Sequence, residues 1–142
     1  MYSDRARDEE TLRILYSDFY SKPTSSSMEQ VARSILAPDW RGYGGNLGAG
    51  VTLDQMIAIY RRFGVAVPDL RVTPLAILHE GGQFVVRSRL SGSPTAEFLG
   101  VAPTGKGFSI LSIDIHAFED GRIIETYHIE DWFSAVRQLQ PE

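Results

Sequence analysis

The sequence predicts an α+β fold, with N-terminal helices packed on a strongly curved, mainly antiparallel sheet. Three observations carry this. Up to about residue 64, apolar residues recur at helical spacing. From about residue 70, alternation with a period of two dominates. The later segments follow one another across short turns with no helix between them, which excludes a doubly wound parallel sheet. A sheet curled around its helices makes a cone with a deep pocket.

The elements follow in order. Residues 4–20 read as one helix, with Leu12, Ile14, Leu15 and Phe19, joined by Tyr16, as its apolar stripe. Ser21-Lys22-Pro23 stops it. Ser26 followed by Glu29 fits a capping box for a second helix, buried through Val31, Ile35 and Leu36 and ended by Ala37-Pro38. Trp40 to Gly50, with five glycines, reads as a loop whose Trp40 and Tyr43 either plug the core or rim a pocket. Thr52 and Gln55 form another capping box, opening a helix with Met56, Ile59, Tyr60 and Phe63 inward and Gly64 at its end. Leu70–His79 is a strand whose Pro74 requires an edge or a bulge. Gln83–Gly92 is the next strand, with Arg87 and Arg89 on its outer face. Thr95–Val101 is a candidate short strand. Phe108–Phe118 and Arg122–Glu130 are a hairpin, and Trp132–Leu139 a short helix capped by Asp131.

The 142 residues suit a single domain, 1–142, large enough for a real core. A net charge of -4 and the lack of a basic stripe argue against a nucleic-acid surface. The absence of cysteine excludes disulfides, thiolate chemistry and Cys-based zinc sites. The three histidines, 79, 116 and 128, show no metal-binding spacing, so no metal is expected. The glycines after Trp40 lack a Walker lysine and a strand–turn–helix setting, so no nucleotide cofactor is expected either. No apolar run is long enough to span a membrane, and the charged N-terminus lacks a signal core, so a cytoplasmic protein is the default expectation.

Asp114 and His128 are the chemically informative pair. Asp114 interrupts the apolar run Ile110–Ile115, and carboxylates are seldom buried without purpose. A two-residue turn at Asp120-Gly121 would pair Asp114 with Tyr127 and send His128 to the other face. One extra residue in the turn or in a bulge restores both to one face. An acid/base reading therefore requires that departure. Histidine titrates near pH 6.5, which makes His128 the preferred base, with Asp114 holding its tautomer. The alternative is a buried Asp114 of raised pKa as base and His128 as donor. Candidate substrate-binding residues are Trp40, Tyr43, Phe63, Phe98, Ile110, His116, Phe118 and Glu130, with Glu130 at the cavity mouth. His79, beside a turn, reads as a surface residue.

Phe98-Leu99-Gly100-Val101-Ala102-Pro103-Thr104-Gly105-Lys106 resembles the loop motif of SnoaL-like polyketide cyclases, and Asp120-Gly121-Arg122-Ile123-Ile124-Glu125 their hairpin. Asp131 and Val136-Arg137-Gln138-Leu139 fit as well. The N-terminal helices and the aromatic-rich loop suit the broader NTF2-like cone, so the resemblance covers nearly the whole chain. It implies a homodimer formed through the outer sheet face. It also implies a cofactor-free intramolecular aldol reaction on a polyketide ester. That chemistry uses an Asp on the last strand and a His on the strand before, and here the two residue types are exchanged. Other cone-fold relatives are isomerases, dehydratases or epoxide hydrolases, or only bind ligands. The leading expectation is a cyclase, isomerase or lyase for a hydrophobic carbonyl compound. The runner-up is a non-catalytic small-molecule binding domain, and an epoxide hydrolase-like enzyme is a further alternative. A closed, packed cavity would favour a purely structural role.

Overall fold

The computed structural model describes residues 4–46 and 48–142. Helix α1, Arg5–Ile14, is capped by the Asp4 side chain, which accepts from Arg7 N. It continues as a π-helical segment, Leu15–Tyr20. The expected single α-helix over 4–20 therefore changes winding at Leu15. All of Leu15, Tyr16, Phe19 and Tyr20 are buried there, and such π segments recur at functional sites.

Helix α2 is Met28–Ile35 and β1 is Leu36–Tyr43. Two expectations change here. Ser27 rather than Ser26 precedes α2, without a side-chain cap, and Glu29 is engaged instead by Arg33 and Arg61. Trp40 and Tyr43 lie in a strand, so the glycine-rich loop begins only at Gly44. Strand β2, Val51–Thr52, leads into α3, Leu53–Ala66, through the complete Thr52/Gln55 capping box. Gly64 lies inside α3, because its bare backbone lets the helix pack on Pro23 and Thr24; a Cβ there would come within 2.8 Å of both.

Strands β3 (Arg71–Glu80), β4 (Gln83–Gly92), β5 (Phe108–Glu119) and β6 (Arg122–Glu130) precede α4, Trp132–Leu139. Asp131 caps α4 by accepting from Ser134 N. Among the described residues, Thr95–Val101 contributes only the isolated bridge Phe98–Val101. The sheet order is β2-β1-β6-β5-β4-β3, antiparallel throughout except between β1 and β6. Pro74 occupies an edge strand beside a register shift, satisfying both expectations for it. The helices pack on the inner face of the curved sheet around Leu12, Leu15, Phe19, Trp40, Phe84 and Ile123. Each such fully buried side chain contributes roughly 1.5–3 kcal/mol, so this face is fixed as the inside.

The β5–β6 hairpin has the simplest turn and still brings the pair together. Asp120 and Gly121 both adopt positive φ, 51° and 79°, joining Glu119 directly to Arg122. The register then shifts between Ala117 and Phe118: Phe118 pairs with Ile123 and Ala117 with Glu125, leaving Ile124 as the extra residue. That bulge places Asp114 opposite His128. Without it, the period-two geometry would turn His128 outward.

Candidate active site

The two strands of this hairpin are inverted. On β5 the inward face begins apolar, with Phe108 and Ile110 buried, and then turns polar, with Ser112, Asp114 and His116 buried, while Leu111, Ile113 and Ile115 face outward. On β6 Thr126 is buried and His128 and Glu130 partly so, while Tyr127 and Ile129 are exposed. Burying polar groups costs free energy unless they are paired. A half-apolar strand that keeps its polar side inward implies that the interior has a chemical use.

All of these polar residues except His116 line a cavity of about 460 Å³ between the inner face, α3 and the glycine-rich segment. That is within the usual range for small-molecule sites. Asp114, Ser112, Thr126, His128 and Glu130 come from the sheet; Tyr20, Tyr60, Phe63, Ile59 and Met56 come from the helices. Trp40 and Gly42 close one wall. A Cβ at Gly42 would overlap the Trp40 indole, so the glycine allows that ring to lie across it.

Asp114 is only 5% exposed. Burial raises its pKa to about 7, and Glu130 adds to the rise; the Tyr16 and Ser112 hydroxyls and His128 pull the other way. Tyr16 donates to Asp114 Oδ2 at 2.5 Å. With its one proton used there, the Tyr16 oxygen accepts from His116 Nε2 at 2.9 Å. Burial pushes His116 down to about 3, so it is neutral and its Nδ1 accepts from the Thr126 hydroxyl at 2.8 Å. Trp40 Nε1 donates to that same Thr126 oxygen at 3.1 Å. The donors thus run in one direction, Trp40 to Thr126 to His116 to Tyr16 to Asp114, and end on the carboxylate.

His128 is held differently. Its Nδ1 meets Glu130 Oε2 at 2.6 Å, and Trp132 Nε1 donates to the other Glu130 oxygen at 3.2 Å. The Glu130 carboxylate raises the His128 pKa, against the opposing effect of burial. Glu130, not Asp114, therefore orients this imidazole, which corrects the pairing expected from sequence. The ring edge lies close to Gly44, where a Cβ would be 3.4 Å from Cε1.

Of the other sequence candidates, Trp40, Phe63 and Glu130 line the cavity. Tyr43 does not: it follows the outward parity of β1 and stacks on Tyr127 at 5.0 Å. Phe98 lies a layer back, packed on Phe63, Phe108 and Trp132. Ile110 belongs to the core, and Phe118 packs edge-on against Phe84. His116 does not line the cavity either, because it is fully buried behind Asp114. His79 is half-buried against Phe84, not a surface residue. The sequence reading did not single out Tyr16, Tyr20, Tyr60, Ser112 or Thr126 for a chemical role. The tyrosines were hidden in helical apolar stripes, where a phenol looks like any other large side chain.

Replacing Tyr16 with Phe removes one donor from Asp114 and orphans His116 Nε2. The expected loss is about 1–3 kcal/mol of stability, read by chemical denaturation, together with a rise in the Asp114 pKa. Unchanged stability and titration would show that the chain of donors is not formed.

The sequence pattern of the SnoaL-like polyketide cyclases matches residues 11–139. The chain belongs to the SnoaL-like polyketide cyclase family. No curated protein matches the sequence at a significant level. Among solved structures, this SnoaL-like chain is similar to TsrD from Streptomyces laurentii, with 27% identity and a TM-score of 0.81 over 97% of this chain and 98% of that one. IdmH from Streptomyces antibioticus, whose assignment as a polyketide cyclase is provisional, is 25% identical with a TM-score of 0.81, covering 93% and 97% of the two chains. A protein of Jannaschia sp. CCS1, provisionally a SnoaL-like polyketide cyclase, shares the fold at a TM-score of 0.85 with 23% identity, over 100% and 99%. The α+β, NTF2-like architecture expected from sequence is thus the fold of this SnoaL-like chain. Among the described residues, no helix is long and apolar enough to cross a membrane, and no group of three or more His, Asp or Glu is placed to hold a metal ion.

Proposed function

We propose that the protein catalyses proton-transfer chemistry on a hydrophobic carbonyl compound, with intramolecular aldol cyclisation as the leading reaction and isomerisation or lyase chemistry as variants. One observation carries this: a buried carboxyl with a pKa near 7 stands in a ligand-sized cavity, directly across from an imidazole. Family membership supports cyclase-like chemistry.

In this reading the Asp114 carboxylate removes a proton from the carbon next to a carbonyl, and the C–H electron pair becomes an enolate. The enolate carbon bonds to a second carbonyl carbon of the same molecule. The oxygen of that second carbonyl takes a proton from the His128 imidazolium. Asp114 ends protonated and His128 neutral, and release of product to solvent resets both. The roles reverse the preference from sequence, because Glu130 stabilises the protonated, proton-donating imidazole, whereas burial makes the Asp114 carboxylate a stronger proton acceptor.

A simple ketone tests the first step. Wild-type protein in heavy water should speed deuterium entry at the α-carbon of 2-tetralone above the buffer rate. Binding of that ketone with exchange at only the buffer rate would instead favour a non-catalytic ligand-binding domain.

The outer face supports a second proposal, that two copies pair through the sheet. Leu111, Ile113, Ile115, Tyr127 and Ile129 are contiguous by register and between 36% and 60% exposed. Such a patch usually marks an interface. Ile113→Arg is expected to shift sedimentation from dimer to monomer; a wild-type protein already monomeric would refute the pairing.

A further inference from the structure

Two phenols in the cavity have no hydrogen-bond partner among the described residues. Tyr20 comes from the π-helical segment and Tyr60 from α3. Their rings stack with centroids 5.0 Å apart and planes 27° from parallel. Both line the same cavity as Asp114, His128 and Glu130. Neither hydroxyl has a hydrogen-bond partner among the described residues. Among the described residues, the sealed side-chain atoms that lack partners are His79 Nε2 and Ser88 Oγ, so the two phenol oxygens keep accessible surface, and both side chains line the cavity.

The surroundings fix what these hydroxyls can do. Burial raises both pKa values well above the usual phenol value; Asp114 and Glu130 add to the rise in each. Both groups therefore keep their protons and are available as donors. A largely buried donor with no acceptor is unfavourable. The opposite half of the site, Asp114 and Glu130, consists of acceptors already engaged by Tyr16, His128 and Trp132. Solvent can meet these donors in the ligand-free cavity, so a ligand that displaces it has to bring an acceptor of its own.

We propose that Tyr20 and Tyr60 together bind a carbonyl oxygen of the ligand and so make the cavity selective for ketones and esters over hydrocarbons of the same shape. The inference rests on the proton-transfer reading for the class of ligand. It adds which residues hold the oxygen whose neighbouring carbon faces Asp114. As that carbon loses its proton, negative charge moves onto this oxygen, and two preorganised phenols oppose the charge without rearranging.

The test compares 2-tetralone with tetralin, which has the same two rings and no oxygen, on wild-type protein and on Tyr20→Phe and Tyr60→Phe. Both variants keep the ring and its stacking. Calorimetric titration should show 2-tetralone binding weakened roughly three- to tenfold in each variant, the usual effect of one lost hydrogen bond. Tetralin binding should be unchanged, which also shows that the cavity is still formed. The infrared carbonyl stretch of bound 2-tetralone should move to higher frequency in each variant, since fewer donors reach the oxygen. Equal weakening for both ligands, no weakening for either, or a wild-type protein with no preference for the ketone would overturn the proposal. Asp114→Asn separates it from the reading it rests on. That variant should keep the ketone preference while losing α-carbon exchange. A wild-type protein that prefers the ketone through these tyrosines yet exchanges no α-proton would uphold this inference and refute the proton-transfer reading.

Discussion

Asp114→Asn is expected to lower turnover by about 10²–10⁴-fold, the usual contribution of a positioned acid or base, and to make the protein more stable at pH 8. The two effects have one cause. The amide keeps the shape of the side chain and can still accept from Tyr16, but it cannot take a proton. The carboxyl that it replaces is destabilising when charged, because burial raises its pKa to about 7. The native state therefore holds that proton more tightly than the unfolded chain, whose Asp titrates near 3.9. Its contribution to stability is fully present below pH of about 4 and is lost as the pH rises through about 7. A shift of this size corresponds to at most roughly 4 kcal/mol. Thermal unfolding should show the variant gaining on wild type between pH 5 and pH 8 and not at pH 4. An activity loss without the pH-dependent gain would mean that Asp114 is ionised at no cost in the native state, contrary to its burial.

His128→Gln should lower turnover by about 10²-fold, because the amide cannot protonate the oxygen on which charge develops. Glu130→Gln gives a sharper result. The carboxylate bonded to Nδ1 is what raises the His128 pKa, so its removal should let that pKa fall. The active form needs Asp114 ionised and His128 protonated. kcat/KM is then bell-shaped, rising through about pH 7 with Asp114 and falling on the alkaline side as His128 loses its proton. In Glu130→Gln both limbs should move to lower pH, the alkaline limb further because Glu130 bonds His128 directly, so the bell narrows and its maximum falls. An alkaline limb that stays in place would show that His128 is not the group that must be protonated.

Much of the fold was legible because helix and strand periods differ. Met56, Ile59, Tyr60 and Phe63 on one side and the alternation of Gln83–Gly92 on the other leave few ways to build the molecule. The π winding at Leu15–Tyr20 was not legible, since its side chains satisfy an α-helical stripe equally well. Trp40–Tyr43 was missed as a strand for a related reason: glycine and proline hide an element whose partner, β6, lies some 80 residues away and runs parallel to it.

The site was partly legible. Asp114 drew notice as a carboxylate in an apolar run, and the turn arithmetic showed that an extra residue was needed to bring His128 beside it. Ile124 is that residue, although nothing in its chemistry announces a bulge. The inversion of β5 and β6 explains why the lining was harder to assign. The inward parity of β5 was read correctly, but along it the cavity is lined by Ser112 and Asp114, whereas Ile110, His116 and Phe118 pack in the interior around it. The tie between Glu130 and His128 depends on side-chain direction, and the Tyr16–Asp114 bond spans 98 positions of sequence. Glu130 does share the inward parity of His128, two residues along the strand, whereas nothing local marks Tyr16 as a partner of Asp114.

The most direct test of the account is the titration of the Asp114 side-chain carboxyl carbon by NMR, assigned by its disappearance in Asp114→Asn. The midpoint is expected near pH 7, displaced further upward in Tyr16→Phe. A midpoint near the ordinary value of about 4 would mean that this carboxyl is solvated like any surface aspartate, and that it has no special readiness to take a proton from carbon.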